Sequence, residues 1–129
     1  MTTMNQLKKE MNDIEKKLKA KNNIKKLEYM VGLKQKYNDL LNVKIHMLNE
    51  LKFDYENKKS DLLLNTDWSK VIDGRVTNDL KEAYIREKSK EVLEKINVAE
   101  EDVNIIKKDI DLLNDYISIE KYSIRMILK

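Results

Sequence analysis

The amino-acid sequence predicts an all-α protein: a long antiparallel helical hairpin, or coiled coil, that oligomerises into a multi-helix bundle. Three observations carry that prediction. Proline is absent, and glycine occurs only at Gly32 and Gly74. Charged residues make up 38% of the chain beside 41% apolar, a balance suited to helices with wide solvated faces. Above all, the apolar residues recur at helical spacing over nearly the whole length.

The first predicted helix runs from the N-terminus to about residue 64. Met4, Leu7, Met11, Ile14 and Leu18 step by three and four residues, as one seam of a helix does. The seam falters at Lys21, Asn22 and Asn23, where a lysine fills a seam position and two poor helix formers follow. It resumes at Ile24, Leu27 and Val31 in a shifted phase, then continues through Tyr37, Leu40, Leu41, Ile45, Leu48, Leu51, Tyr55 and Leu62. Asn22 and Gly32 are the two places where a bend or break can fall. Unbroken, this helix would be about 90 Å long at the α-helical rise.

Helical periodicity stops from residue 65 to residue 77. Asn65 suits a helix end in the left-handed conformation. Asp73-Gly74, flanked by Val71, Ile72 and Val76, suits a tight loop or very small hairpin. Thr77 or Asn78 then caps the next helix, with Asp79 in its first turn.

The second helix, residues 78–129, carries the clearest pattern. With Ser89 as heptad position a, the a column reads Ser89, Ile96, Val103, Ile110, Ile117, Ile124, and the d column Val92, Ala99, Ile106, Leu113, Glu120, Ile127. Position c is apolar as well: Val98, Ile105, Leu112, Ile119 and Met126. The apolar face therefore widens to an arc of about 160°, more than one partner helix covers. Val92, Ile96, Ala99, Val103, Ile106, Ile110, Leu113, Ile117, Ile124 and Ile127 are accordingly expected to form an oligomer seam, with much of residues 1–30 also awaiting another chain. Isoleucine in both columns favours more than two strands. A homodimer of hairpins, making a four-helix bundle, is the first expectation and a trimer the second.

Charge is uneven. Residues 1–36 hold ten lysines against four acids, although the whole chain carries only +3. Lys16, Lys17, Lys19, Lys21, Lys25 and Lys26 are the candidates for phosphate contact, through salt-dependent, sequence-blind binding. They lack arginine, and Tyr29 is the only aromatic nearby, so base stacking is poorly served. A solvated coiled-coil face accounts for the same lysines. The loop holds the only tryptophan, Trp68, with Lys70 and Arg75. Trp68 is expected to plug the open end of the hairpin, while Trp68, Lys70 and Arg75 are also the candidate partner contacts.

Catalytic chemistry is sparse. Cysteine is absent, which excludes disulfides, thiolate metal sites and thiol nucleophiles together. The single histidine, His46, has no Glu-x-x-His companion for a di-metal bundle and is expected to be half-buried and structural. Two isolated glycines build no phosphate loop. No catalytic residue, metal ligand or cofactor site is assigned, and the chain is read as no enzyme. Nothing approaches an apolar membrane span or a signal h-region, so a cytoplasmic protein is expected.

The stretch from Asp67 through Trp68, Gly74, Thr77, Asn78, Lys81, Ala83 and Tyr84 to Arg86, followed by a heptad helix, resembles small proteins encoded by phages of low-GC Gram-positive bacteria. The likeness spans about residues 65–115. It implies a phage accessory protein within a host cell and transfers no site residue. The expected function is binding to a host protein, most simply as an inhibitor of a defence complex, of the anti-CRISPR or another anti-defence kind. Two alternatives stay open: a nucleic-acid-binding accessory of phage replication or recombination, and a helical oligomer that sequesters a nucleotide signal.

Overall fold

A computed structural model describes residues 3–17 and 23–128, and it is an all-α bundle with no strand among them. The helices are α1 (Met4–Lys17), α2 (Asn23–Asn65), α3 (Trp68–Val71), α4 (Asn78–Lys88) and α5 (Lys90–Leu128). They divide into two compact units, one of Met1–Lys44 with Asp102–Lys129 and one of Ile45–Glu101. Both long helices run through the division.

In the first unit, α1 starts with a reciprocal cap. The Gln6 backbone N–H donates to Thr3 Oγ1 (3.2 Å), and the Thr3 backbone N–H donates to Gln6 Oε1 (3.0 Å). The helix then lies against α2 in the opposite direction. Lys36 pairs with Glu10 at 3.2 Å, although in one straight helix 26 residues would separate them by about 39 Å. Leu7 and Met11 thereby join Met30, Leu33, Tyr37 and Leu40 of α2 and Ile106, Leu113 and Ile117 of α5 in one core. The first helix, expected as one with a possible bend or break near Asn22 or Gly32, is thus two antiparallel helices, α1 ending at Lys17 and α2 starting at Asn23. Helical spacing continues on both sides of the reversal, and a seam alone does not say whether two segments are stacked or folded together. Gly32, the other candidate bend, lies within α2.

Antiparallel pairing of α2 and α5 is fixed by Lys44 with Asp102 (3.8 Å) and by the Tyr37 hydroxyl, which donates to Asp109 Oδ2 (3.3 Å). Burial drives the Tyr37 phenol well above its ordinary range. The Asp109 charge and hydrogen bond and the nearby Glu10 charge push the same way. Within the first unit one position of the α5 seam departs from apolar packing. Glu120 is only 4% exposed, and its Oε1 has no hydrogen-bond partner.

Much of the seam expected between chains is closed within this one. Val103, Ile106, Leu113 and Ile117 are buried in the first unit and Ile96 in the second. Val92, Ala99, Ile110 and Ile124 are partly buried, and Ile127 is exposed near the helix end. The reason for the correction lies in α1. Together with α2 it covers the a and d columns of α5 in the first unit, and its own Leu7 and Met11 are buried without a second chain.

The second unit contains the far part of α2, α3, α4 and the start of α5. Lys52 pairs with Glu100 at 3.4 Å, again across antiparallel segments. The sequence predicts one helix from residue 78, but the structure interrupts it at Ser89 (φ −106°, ψ 7°). Ser89 is fully buried, leaving room only for a small side chain, and its Oγ has no hydrogen-bond partner. Beside it, the Lys58 ammonium donates to the Lys88 carbonyl at 2.6 Å, satisfying an acceptor at the end of α4. His46 is corrected too: its side chain is 75% exposed and pairs with Glu50 one turn on, at 3.0 Å.

Candidate functional site

The loop end of the second unit, from Leu63 to Lys81, is held by local interactions. The helix α2 stops at Asn65, whose side-chain amide donates to Asp61 (2.6 Å), but Asn65 is not in the left-handed conformation expected of it. Asp67 then accepts from the Ser69 hydroxyl at 2.6 Å and pairs with Lys70 at 3.8 Å, around the single turn of α3. Of the tight loop or very small hairpin expected around Asp73-Gly74, the chain forms the loop, with no strand on either side. Among the described residues Gly74 alone takes a positive φ, +88°, where a side chain would be strained. Thr77 caps α4 by accepting from the Leu80 backbone N–H at 3.2 Å. The capping residue foreseen from sequence is in place.

Trp68 is the keystone of this loop. Its ring meets Tyr84 edge to face, 5.5 Å between centroids, and the Lys81 ammonium sits 5.4 Å from its centroid. Its indole N–H donates to the Leu63 carbonyl at 3.4 Å. The ring is partly buried, as a plug would be. Lys70 and Arg75 are solvent-exposed, so of the three candidate partner contacts these two offer free surface while Trp68 is partly buried.

The same stretch carries apolar residues whose exposure sequence reasoning did not foresee. Leu63, Leu64, Val71, Val76 and Leu80 are all exposed, Leu64 to 83%. Isolated apolar residues on a surface are ordinary, but five between residues 63 and 80, at the ends of α2, α3 and α4 and in the loop between, make this end the candidate surface. The charges in their midst balance: Asp67, Asp73 and Asp79 against Lys70, Arg75 and Lys81. Such a surface offers apolar recognition and no concentrated field for phosphate. Absence of strand or helix periodicity in these residues hid them, since a valine in a loop carries no pattern that predicts its exposure.

The basic run is only partly described. Lys19 and Lys21 lie outside the described residues. Lys16 and Lys17 fall at the end of α1, and Lys25 is exposed at the start of α2. Lys26 is 9% exposed, which removes it from an open cationic face. Two depressions occur elsewhere. One of 110 Å³ is lined by Tyr55, Lys59, Glu82, Ile85 and Arg86, below the several hundred Å³ usual for a small-molecule site. The other, of 410 Å³, is an open surface hollow lined by Gln6, Lys9, Glu10, Asp13 and Lys36. Among the described residues no group of three or more His, Cys, Asp or Glu side chains could hold a metal ion, and no helix is long and apolar enough to cross a membrane.

Compared with known family models, with curated proteins and with solved structures, the chain matches none. Its functional reading therefore rests on the surfaces just described.

Proposed function

We propose that the chain is a non-catalytic binding protein that engages a partner protein through the loop end of its second unit. The observation that carries this reading is the exposure of Leu63, Leu64, Val71, Val76 and Leu80 on the ends of three helices and the short loops that join them, an end held by the Ser69–Asp67 bond and the Thr77 cap. A held loop loses little conformational freedom on binding, so more of its apolar burial reaches affinity. Arg75 and Lys70 stand among these residues as rim contacts that set orientation. The resemblance to phage accessory proteins points to a host defence complex as the partner, with inhibition by occupying its surface. The balanced charge of the loop favours a protein over nucleic acid.

The test is capture by the tagged full chain from a low-GC Gram-positive host lysate. Wild type should retain a defined host protein, and Leu64→Asp with Val76→Asp should release it while the helical circular dichroism is unchanged. Retention of nucleic acid instead, lost in moderate salt and indifferent to these two substitutions, would overturn the proposal in favour of the basic run.

A further inference from the structure

The outer side of α5 in the first unit carries a second seam. Leu112, Ile119 and Met126 are 43%, 59% and 52% exposed, and Ile105, one heptad earlier, is partly buried. Between them, three residues on each time, fall Lys108, Asp115 and Tyr122, all exposed. These steps of three and four repeat the spacing of the buried a and d columns, so one helix presents two coiled-coil faces. The outer one spans 21 residues, about 32 Å, and its seven-residue period fits another long helix of the same period.

We propose that this face docks a second copy of the chain, α5 against α5 and antiparallel. The charges within the seam select both the occupant and its direction. In a parallel pair each residue meets itself, placing Lys108 against Lys108 and Asp115 against Asp115. An antiparallel pair centred between residues 113 and 114 sets Ile105 level with Tyr122 of the other copy, Leu112 with its Asp115, and Ile119 with its Lys108. Lys108 then stands about one helical turn from the other copy's Asp115, within reach of opposite charges, and the two-fold axis makes that pair twice. The lysine stem meanwhile covers Ile119. Self-complementarity of this kind is what a closed two-fold interface requires, and a heterologous partner has no need of it. The loop-end surface belongs to the other unit, so this proposal stands apart from the function proposed above.

Sedimentation of the full chain at up to about 100 µM tests it, since self-association depends on concentration. Wild type should be a dimer, and Ile119→Asp a monomer with the helicity and melting temperature retained. Lys108→Glu should weaken the dimer at least about tenfold, and adding Asp115→Lys should restore it. The chain lacks cysteine, so an introduced thiol reports proximity without background. Leu112→Cys should cross-link two copies on oxidation, and Met126→Cys, near the far end of the seam, should not. A monomeric wild type, a trimer, an Ile119→Asp dimer of unchanged strength, or cross-linking through Met126→Cys would overturn the proposal.

Discussion

Replacing Leu7 by alanine tests whether α1 is an integral wall of the first unit. Leu7 is fully buried against α2 and α5, and with Met11 it forms the inner face of a 14-residue helix. A leucine-to-alanine change at such a site costs about 2–5 kcal/mol, the spread reflecting how far the site collapses. Here the core cannot collapse far, because Met30, Leu33, Leu113 and Ile117 are held on two long helices. We therefore expect a loss of about 3 kcal/mol in a urea titration followed by circular dichroism. A helix this short is marginal once undocked. Hydrogen exchange should accordingly rise first over residues 7–13, with the partnered stretches of α2 and α5 following. A loss below about 0.5 kcal/mol, with residues 7–13 exchanging as freely in wild type as in the variant, would refute the docking of α1.

Three further outcomes follow from the same structure. Trp68→Ala should cost about 2 kcal/mol, less than a fully buried tryptophan, through loss of the Tyr84 and Lys81 contacts, while Arg75→Ala should leave thermal stability unchanged; equal effects of the two would contradict the keystone role. The Tyr37 phenol keeps its proton in the folded state beyond the pH, about 10, at which the unfolded chain releases it. Its contribution is therefore complete below that pH and declines above it, so the stability of wild type relative to Tyr37→Phe should shrink between about pH 9 and about pH 11 in urea titrations, and a constant difference would refute the assignment. The two glycines should respond oppositely to alanine, since neither new methyl group meets an atom within 4 Å and backbone conformation alone decides. In α2, Gly32→Ala should gain about 0.5–1 kcal/mol, whereas Gly74→Ala, at φ +88°, should lose about 1–2 kcal/mol; thermal melts of both variants measure the contrast.

Much of the fold was legible because helices announce themselves by period and caps by residue type. Thr77 caps α4, α2 ends at Asn65, and Ile96, Val103, Ile106, Leu113 and Ile117 are buried as their heptad positions require. What the period could not convey is which neighbour covers a face. Leu7 and Leu113 share one core although they lie 106 positions apart, and no local rule connects them. The interruption at Ser89 was equally silent, since a serine at an a position reads as a weak seam residue until its burial is known. Of the candidate site, Trp68, Lys70 and Arg75 were visible as unusual residues in a break. Leu64 and Val76 were not, because exposure in a loop depends on how the chain turns.

Glu120 has a consequence for the alignment of the helices. The seam of α5 repeats near-equivalent residues every heptad, so sliding it by seven positions would exchange isoleucine or leucine for much the same partner. A chain of that kind has several alignments of nearly equal free energy. Glu120 removes the degeneracy. At its own level Glu120 keeps 4% of its surface exposed and only Oε1 is buried without a partner; moved one heptad into the fully buried level now held by Leu113, the whole carboxylate would be enclosed among apolar side chains, where an unpartnered charge costs several kcal/mol. A seam residue that weakens packing thus tells the long helices where to stop sliding, and a leucine there would give a tighter seam with less reason to choose a single alignment.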